Sequence, residues 1–141
     1  MKKDWSNKWV SSKQPRKQRK YLHNAPMHVK QKLVSAHLTA VLRSRFERRS
    51  MAVRKGDEVV VMRGSSHGFK GKVERVDLKN SRIYIEGLNV KKVDGTEVLK
   101  PIVPSNVMIT EAKMDDKRRQ MVVERGRKKA PSKEQPKDVK K

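Results

Sequence analysis

Between Val53 and Ile109 apolar residues return at every second position in short runs, and on either side of that segment they thin out. Residues 58–62 (EVVVM) set Val59 and Val61 on one face. Residues 82–86 (RIYIE) turn Ile83 and Ile85 one way and Tyr84 the other. Alternation with period two predicts half-buried strands. Further strands are expected at 72–77 (KVERVD), 88–93, 96–103 and 107–110. The punctuation agrees: Leu78-Lys79-Asn80-Ser81 and Asp94-Gly95 read as turns, and Pro101 and Pro104 suit an edge strand or its exit. Five or so short antiparallel strands, with too few residues for two sheets, predict a mostly β fold built as a small closed or half-open barrel.

The flanks follow other rules. Residues 1–25 show no sustained period and read as a basic arm, with Trp5 and Trp9 either stacking on a partner's bases or packing back on the domain. From Pro26, which a first helical turn accepts, Val29 and Leu33 are four apart, and Val41, Leu42 and Phe46 follow Thr39. One helix over 27–47, or two short ones started by Ser35 and Thr39, would satisfy this stretch. Residues 113–124 are compatible with a helix, and Gly126, Pro131 and Pro136 interrupt what comes after.

Charge changes the picture. The 141 residues carry a net +22, distributed as +12 over residues 1–50, +3 over 51–111 and +7 over 112–141. The expected organisation is therefore a basic N-terminal extension with one or two short helices (1–50), a β core (51–111), and a basic tail, partly helical or disordered (112–141). A core of about sixty residues is marginal by size alone. Two cationic arms on such a core suit a polyanion, and the arms are expected to gain order from it. Lys30, Lys32, Arg43, Arg45, Arg48 and Arg49 are all candidates to face that partner.

Several chemistries are disfavoured. The chain has no cysteine, so thiolate catalysis, disulfides and cysteine zinc sites are excluded. His23, His28, His37 and His67 lack metal-ligand spacing, and the core carboxylates are scattered over strands and turns. No cofactor and no enzymatic activity are expected. No run approaches the ~20 apolar residues that span a bilayer, and the first residues are polar rather than signal-like, which points to the cytoplasm.

The most specific local feature is the run Arg63-Gly64-Ser65-Ser66-His67-Gly68-Phe69-Lys70-Gly71. Glycines allow left-handed backbone and close approach, and exposed amides beside Arg63, His67, Lys70 and Lys72 can meet phosphates. A tight corner in the fold is the plainer account of the glycines, and the two readings can coexist. Phe69 reads as a lid over the end of the core or as a stacking platform, and Tyr84 as an exposed contact.

The run from Val53 to Gly64, continued by Gly68-Phe69-Lys70-Gly71-Lys72-Val73, resembles a KOW motif. Together with Arg82–Gly87, Pro101–Val107, Ala25–His28 and Leu33–Leu38, it resembles the universal large-subunit ribosomal protein twenty-four family in its archaeal and eukaryotic form, over residues 15–112. The resemblance implies an SH3-like barrel with a basic helical N-terminal extension and a basic C-terminal tail. It implies a non-catalytic protein that binds large-subunit ribosomal RNA near its 5′ region, supports early assembly and lies near the polypeptide exit. The implied RNA contacts are Arg63, Gly64, Ser65, Ser66, His67, Gly68, Phe69, Lys70 and Lys72, with Lys13, Arg16, Lys17, Arg19, Lys20, Arg43, Arg45, Arg48 and Arg49. Neighbouring ribosomal proteins and exit-site factors are the implied protein partners, without an obligate homo-oligomer. A KOW-type transcription elongation factor and a nucleoid-packaging protein remain alternatives.

Overall fold

The computed structural model describes residues 5, 6, 8, 9 and 12–127. The elements run α1 (Pro15–Asn24), α2 (Met27–Leu33), β1 (Ser35–Leu38), α3 (Ala40–Phe46), β2 (Ser50–Ala52), β3 (Glu58–Val61), β4 (Lys70–Asp77), β5 (Arg82–Ile85), β6 (Asn89–Lys91), β7 (Glu97–Leu99), a 3-10 turn (Pro104–Asn106), β8 (Val107–Glu111) and α4 (Lys117–Arg127).

The alternating residues form the core. Leu38, Val59, Val61, Val73, Ile83, Ile85, Val107 and Ile109 are all almost wholly inaccessible to solvent. Their partners across the sheet are one another: Leu38 opposes Ile109, Val59 opposes Ile109 on the other side, and Val61 opposes Val107. β-Branched side chains fill such a pleated, half-buried surface well. α3 adds Leu42 and Phe46, one helical turn apart, and α4 adds Val123.

The expected SH3-like barrel does not close. Six strands form one mixed sheet in the order β2-β1-β8-β3-β4-β5, and its end strands β2 and β5 do not pair. The cause lies in residues read as helix or arm. Ser35–Leu38 is a strand, with Ala36 and Leu38 buried, and it occupies the second edge of β8 in parallel register. That edge is then unavailable for closure. The stretch 88–99 folds into a separate two-stranded ladder, β6-β7, and the chain after it rejoins β5 through the Ile83–Ile102 bridge. The fold is also less purely β than expected, since the described residues form four α-helices beside the strands.

α2 lies over the open side. Lys30, only 8% exposed, reaches from α2 to donate its ammonium to the Lys79 carbonyl in the β4–β5 turn (3.3 Å). The turns themselves are pinned by carboxylates. Asp77 accepts from the backbone and side chain of Asn80, and Asp94 accepts from the backbone and hydroxyl of Thr96. Those hydrogen bonds hold both carboxyls below the ordinary aspartate range.

Two further elements depart from the pattern reading. Lys17, Arg19 and Lys20 sit on the α1 helix, which starts at Pro15, where a missing N–H costs nothing. β2 at Ser50–Ala52 pairs with β1, so the sheet begins before Val53. Both elements are short, and β2 has a single buried residue, Met51, which gives no readable period.

Candidate nucleic-acid interface

The Arg63–Phe69 loop joins β3 to β4, and its backbone is tightly organised. Gly68 N–H donates to the Val61 carbonyl (2.8 Å), His67 N–H to Gly64 (3.1 Å) and Phe69 N–H to Ser66 (3.2 Å). Gly64 (φ +92°) and Gly68 (φ +82°) adopt left-handed backbone, and nothing stands within 4 Å of where a Cβ would be. Glycine is needed there for conformation and not for space. Gly71 is the opposite case: a Cβ would lie 2.8 Å from Ile85 Cγ2 and 3.1 Å from the Glu86 carbonyl.

Arg63, Gly64, Ser65, His67, Gly68, Lys70 and Lys72 are exposed, and Ser66 is half-buried. Lys72 lies 3.8 Å from Glu58, a solvent-exposed pair that contributes little to stability. Phe69 is half-buried and packs on the core beside Gly71 and Gly87, the position of a lid. Lys100, which the sequence reading did not single out, donates to the hydroxyls of Ser65 (2.6 Å) and Ser66 (2.9 Å). It brings a further cation to the loop, and nothing in its surroundings of Leu99 and Pro101 signals this in sequence.

The other candidate residues lie on separate elements. Lys13 precedes α1, and Arg16, Lys17, Arg19 and Lys20 are exposed on it. Trp5 and Trp9 fold back onto Tyr21 of α1, with ring centroids 5.4 and 4.9 Å away. Arg43 donates through Nε to the Leu38 carbonyl (2.8 Å), and the Arg45 guanidinium lies 5.5 Å from the Phe46 ring centroid. Arg48 donates to the Val122 carbonyl of α4, and Arg49 is exposed beside β2. Lys30 is not available to a partner, because it is buried between α2 and the β4–β5 turn.

Strand register separates these groups. The Arg63 loop leaves the sheet where Val61 meets Val107, whereas Arg49 lies by Leu38, level with Ile109 and on the far side of β1 from β8. A small ligand would not bridge both. A large folded polyanion could.

One basic residue proves to be wholly structural. Arg119 of α4 is 3% exposed and pairs with Asp57, which is 0% exposed, through Nη1 (2.6 Å) and Nη2 (2.8 Å). Its remaining hydrogens go to the carbonyls of Lys113 and Ala52 and to Met51 Sδ. Asp57 also accepts from the backbone N–H of Arg54 (2.8 Å) and Lys113 (3.0 Å). The sequence singles out neither residue: Asp57 simply follows Gly56 ahead of β3, and Arg119 is one of many cations after residue 112. Asp116 starts α4 by accepting from Arg118 N–H (2.8 Å), and it also pairs with Arg54. The part of the basic tail at 128–141 lies outside the described residues.

Among the described residues no group of three or more His, Asp or Glu could hold a metal ion. No helix among them is long and apolar enough to cross a membrane. An open mixed sheet presenting a glycine-bent cationic loop, with further cations on separate helices, is the surface chemistry of the structural, polyanion-facing class of protein. The comparison with known families makes this specific. Residues 12–126 match the family that joins the eukaryotic ribosomal proteins L26 with their archaeal L24 counterparts, and the chain belongs to it.

Similar curated proteins carry the name large ribosomal subunit protein uL24. That of Methanosphaera stadtmanae is 49% identical over 114 residues, covering 81% of this chain and 97% of its own length. That of Methanospirillum hungatei is 50% identical over 79% of this chain and 92% of its own. That of Methanosarcina barkeri is 53% identical over 77% and 93%.

Proposed function

We propose that this protein is a structural constituent of the large ribosomal subunit that binds large-subunit ribosomal RNA. The observation that carries the reading is half identity to large-subunit proteins over nearly their whole length. A structural role of this kind involves no catalysis, and it belongs to the cytoplasm, where the subunit works. The turn from Arg63 to Lys72 is the main RNA contact, and the cations of 13–20 and 43–49 widen it. On this reading the core of 51–111 is the rigid part, and the segments 1–50 and 112–141 spread its contacts over RNA. Binding near the 5′ region of the RNA, a part in early assembly, a position near the polypeptide exit and contacts with neighbouring ribosomal proteins or exit-site factors belong to the same proposal. Neither a transcription factor nor a DNA-packaging protein is favoured by any feature of the site.

The geometry supports the loop as a contact because its charges point outward while its glycines and Phe69 hold the backbone. Phosphate contacts release counterions, so affinity should fall steeply with salt. Replacing Arg63, Lys70 and Lys72 with alanine should weaken binding to a large-subunit RNA fragment and reduce the salt slope by about two to three. The melting temperature should stay within a few degrees of the parent, since all three side chains are exposed. An unchanged slope with a collapsed melt would show the loop to be a structural corner only.

A further inference from the structure

The open side of the sheet leaves a cleft that none of the contacts above uses. α2 crosses the gap but fills only part of it. A space of about 630 Å³ remains between Gln31 of α2, the link of residues 52–55, Glu74, Arg75 and Val76 of β4, and Leu78 just beyond it. A neighbouring hollow of about 390 Å³ shares Arg75, Val76 and Leu78 and continues towards Met27 and Lys79. Val76 and Leu78 are half-buried and pack on the core, which makes an apolar floor.

Polar groups stand around that floor. β4 bulges between Val73 and Arg75, so that Glu74 has no partner in the register with β5. Such a bulge re-aims side chains and is common beside binding sites. The Arg75 guanidinium is held 4.3 Å from the Tyr84 ring centroid, and Lys55 is exposed at the other rim. Beyond Val73 β4 pairs only with β5, so residues 74–77 border the cleft with an open edge, and the cations on its rim favour a phosphate-bearing occupant over an extended peptide. Cationic rims with a narrow apolar floor suit an unstacked base still attached to its phosphates.

We propose that this cleft receives one extruded nucleobase of the bound RNA, a reading that rests on the RNA-binding function above. The base lies against Val76 and Leu78, with Lys55 and Arg75 towards its flanking phosphates. The Glu74 carboxylate can only accept, so it selects a base with an exocyclic amino group, adenine or cytosine.

The test is dimethyl sulfate probing of a large-subunit RNA fragment with the full-length protein and with Gln31→Trp, which plugs the cleft from an exposed helix position. An adenine or cytosine reactive in free RNA should be protected in the parent complex and reactive again with Gln31→Trp. Affinity should fall about tenfold, the scale of one lost stacking contact, at an unchanged salt slope. Glu74→Ala, also at an exposed position, removes the acceptor and should likewise leave that base reactive. Identical footprints and affinities for parent and both variants would overturn the cleft assignment while leaving the RNA-binding reading intact. A parent protein that binds random RNA as tightly as large-subunit RNA would overturn both.

Discussion

Asp57 and Arg119 show how much one residue pair can hold in a protein with so small a core. The carboxylate receives four hydrogen bonds, and each of the five guanidinium hydrogens has an acceptor. Full satisfaction is the condition under which a buried pair is tolerated, and removing one partner leaves an uncompensated charge. Asp57→Ala should therefore destabilise the fold by about 3–5 kcal/mol in denaturant unfolding. Pairing it with Arg119→Met should cost less than the sum of the two single changes. Additive losses would mean the two residues act independently. Nothing in sequence marks this pair, because 62 residues separate its members and Arg119 is one of 37 Lys and Arg. By contrast, Val59, Val61, Ile83 and Ile85 were legible as core residues, because strict alternation admits one inward face.

Elements were legible where their period was long enough to count. β3, β5 and β8 fall within a residue of the strands expected from alternation, and the Asp94-Gly95 turn joins β6 to β7. β1 was misread because Ser35-Ala36-His37-Leu38 stands between two helix-like patterns, and its pairing with β8 bridges some seventy residues. Tertiary pairing overrode the local signal there. Helix α1 was hidden under its own charge, with no buried residue to mark a face. The β3–β4 hairpin offers a test at this scale. Gly71→Ala places a methyl against Ile85 and the Glu86 carbonyl, and should cost about 1–3 kcal/mol as overpacking. Gly64→Ala meets open space and should cost only the left-handed backbone term, about 1–2 kcal/mol. Thermal melts of the two variants read the difference, and a reversed order would mean the loop repacks.

Over the whole molecule, excess charge and a modest core belong to one design. The sheet, left open where β1 takes the edge of β8, is covered by α2 and fastened to α4 through Arg119, so that segments flanking the core help to complete it. The remaining cations face outward in several directions, a distribution suited to burial within a large RNA. Composition pointed to a polyanion partner, and the KOW-like run with its companion segments made the family legible. The barrel was the error, since counting alternating runs could not reveal β1 and β2. The most direct test of the RNA contact is to place a photoreactive residue at His67, in the exposed β3–β4 loop, and crosslink in growing cells. The RNA recovered should be large-subunit ribosomal RNA, at one or a few sites. Recovery of DNA or of nascent messenger RNA instead, or of large-subunit proteins without any RNA, would contradict the assignment of this loop as the main RNA contact.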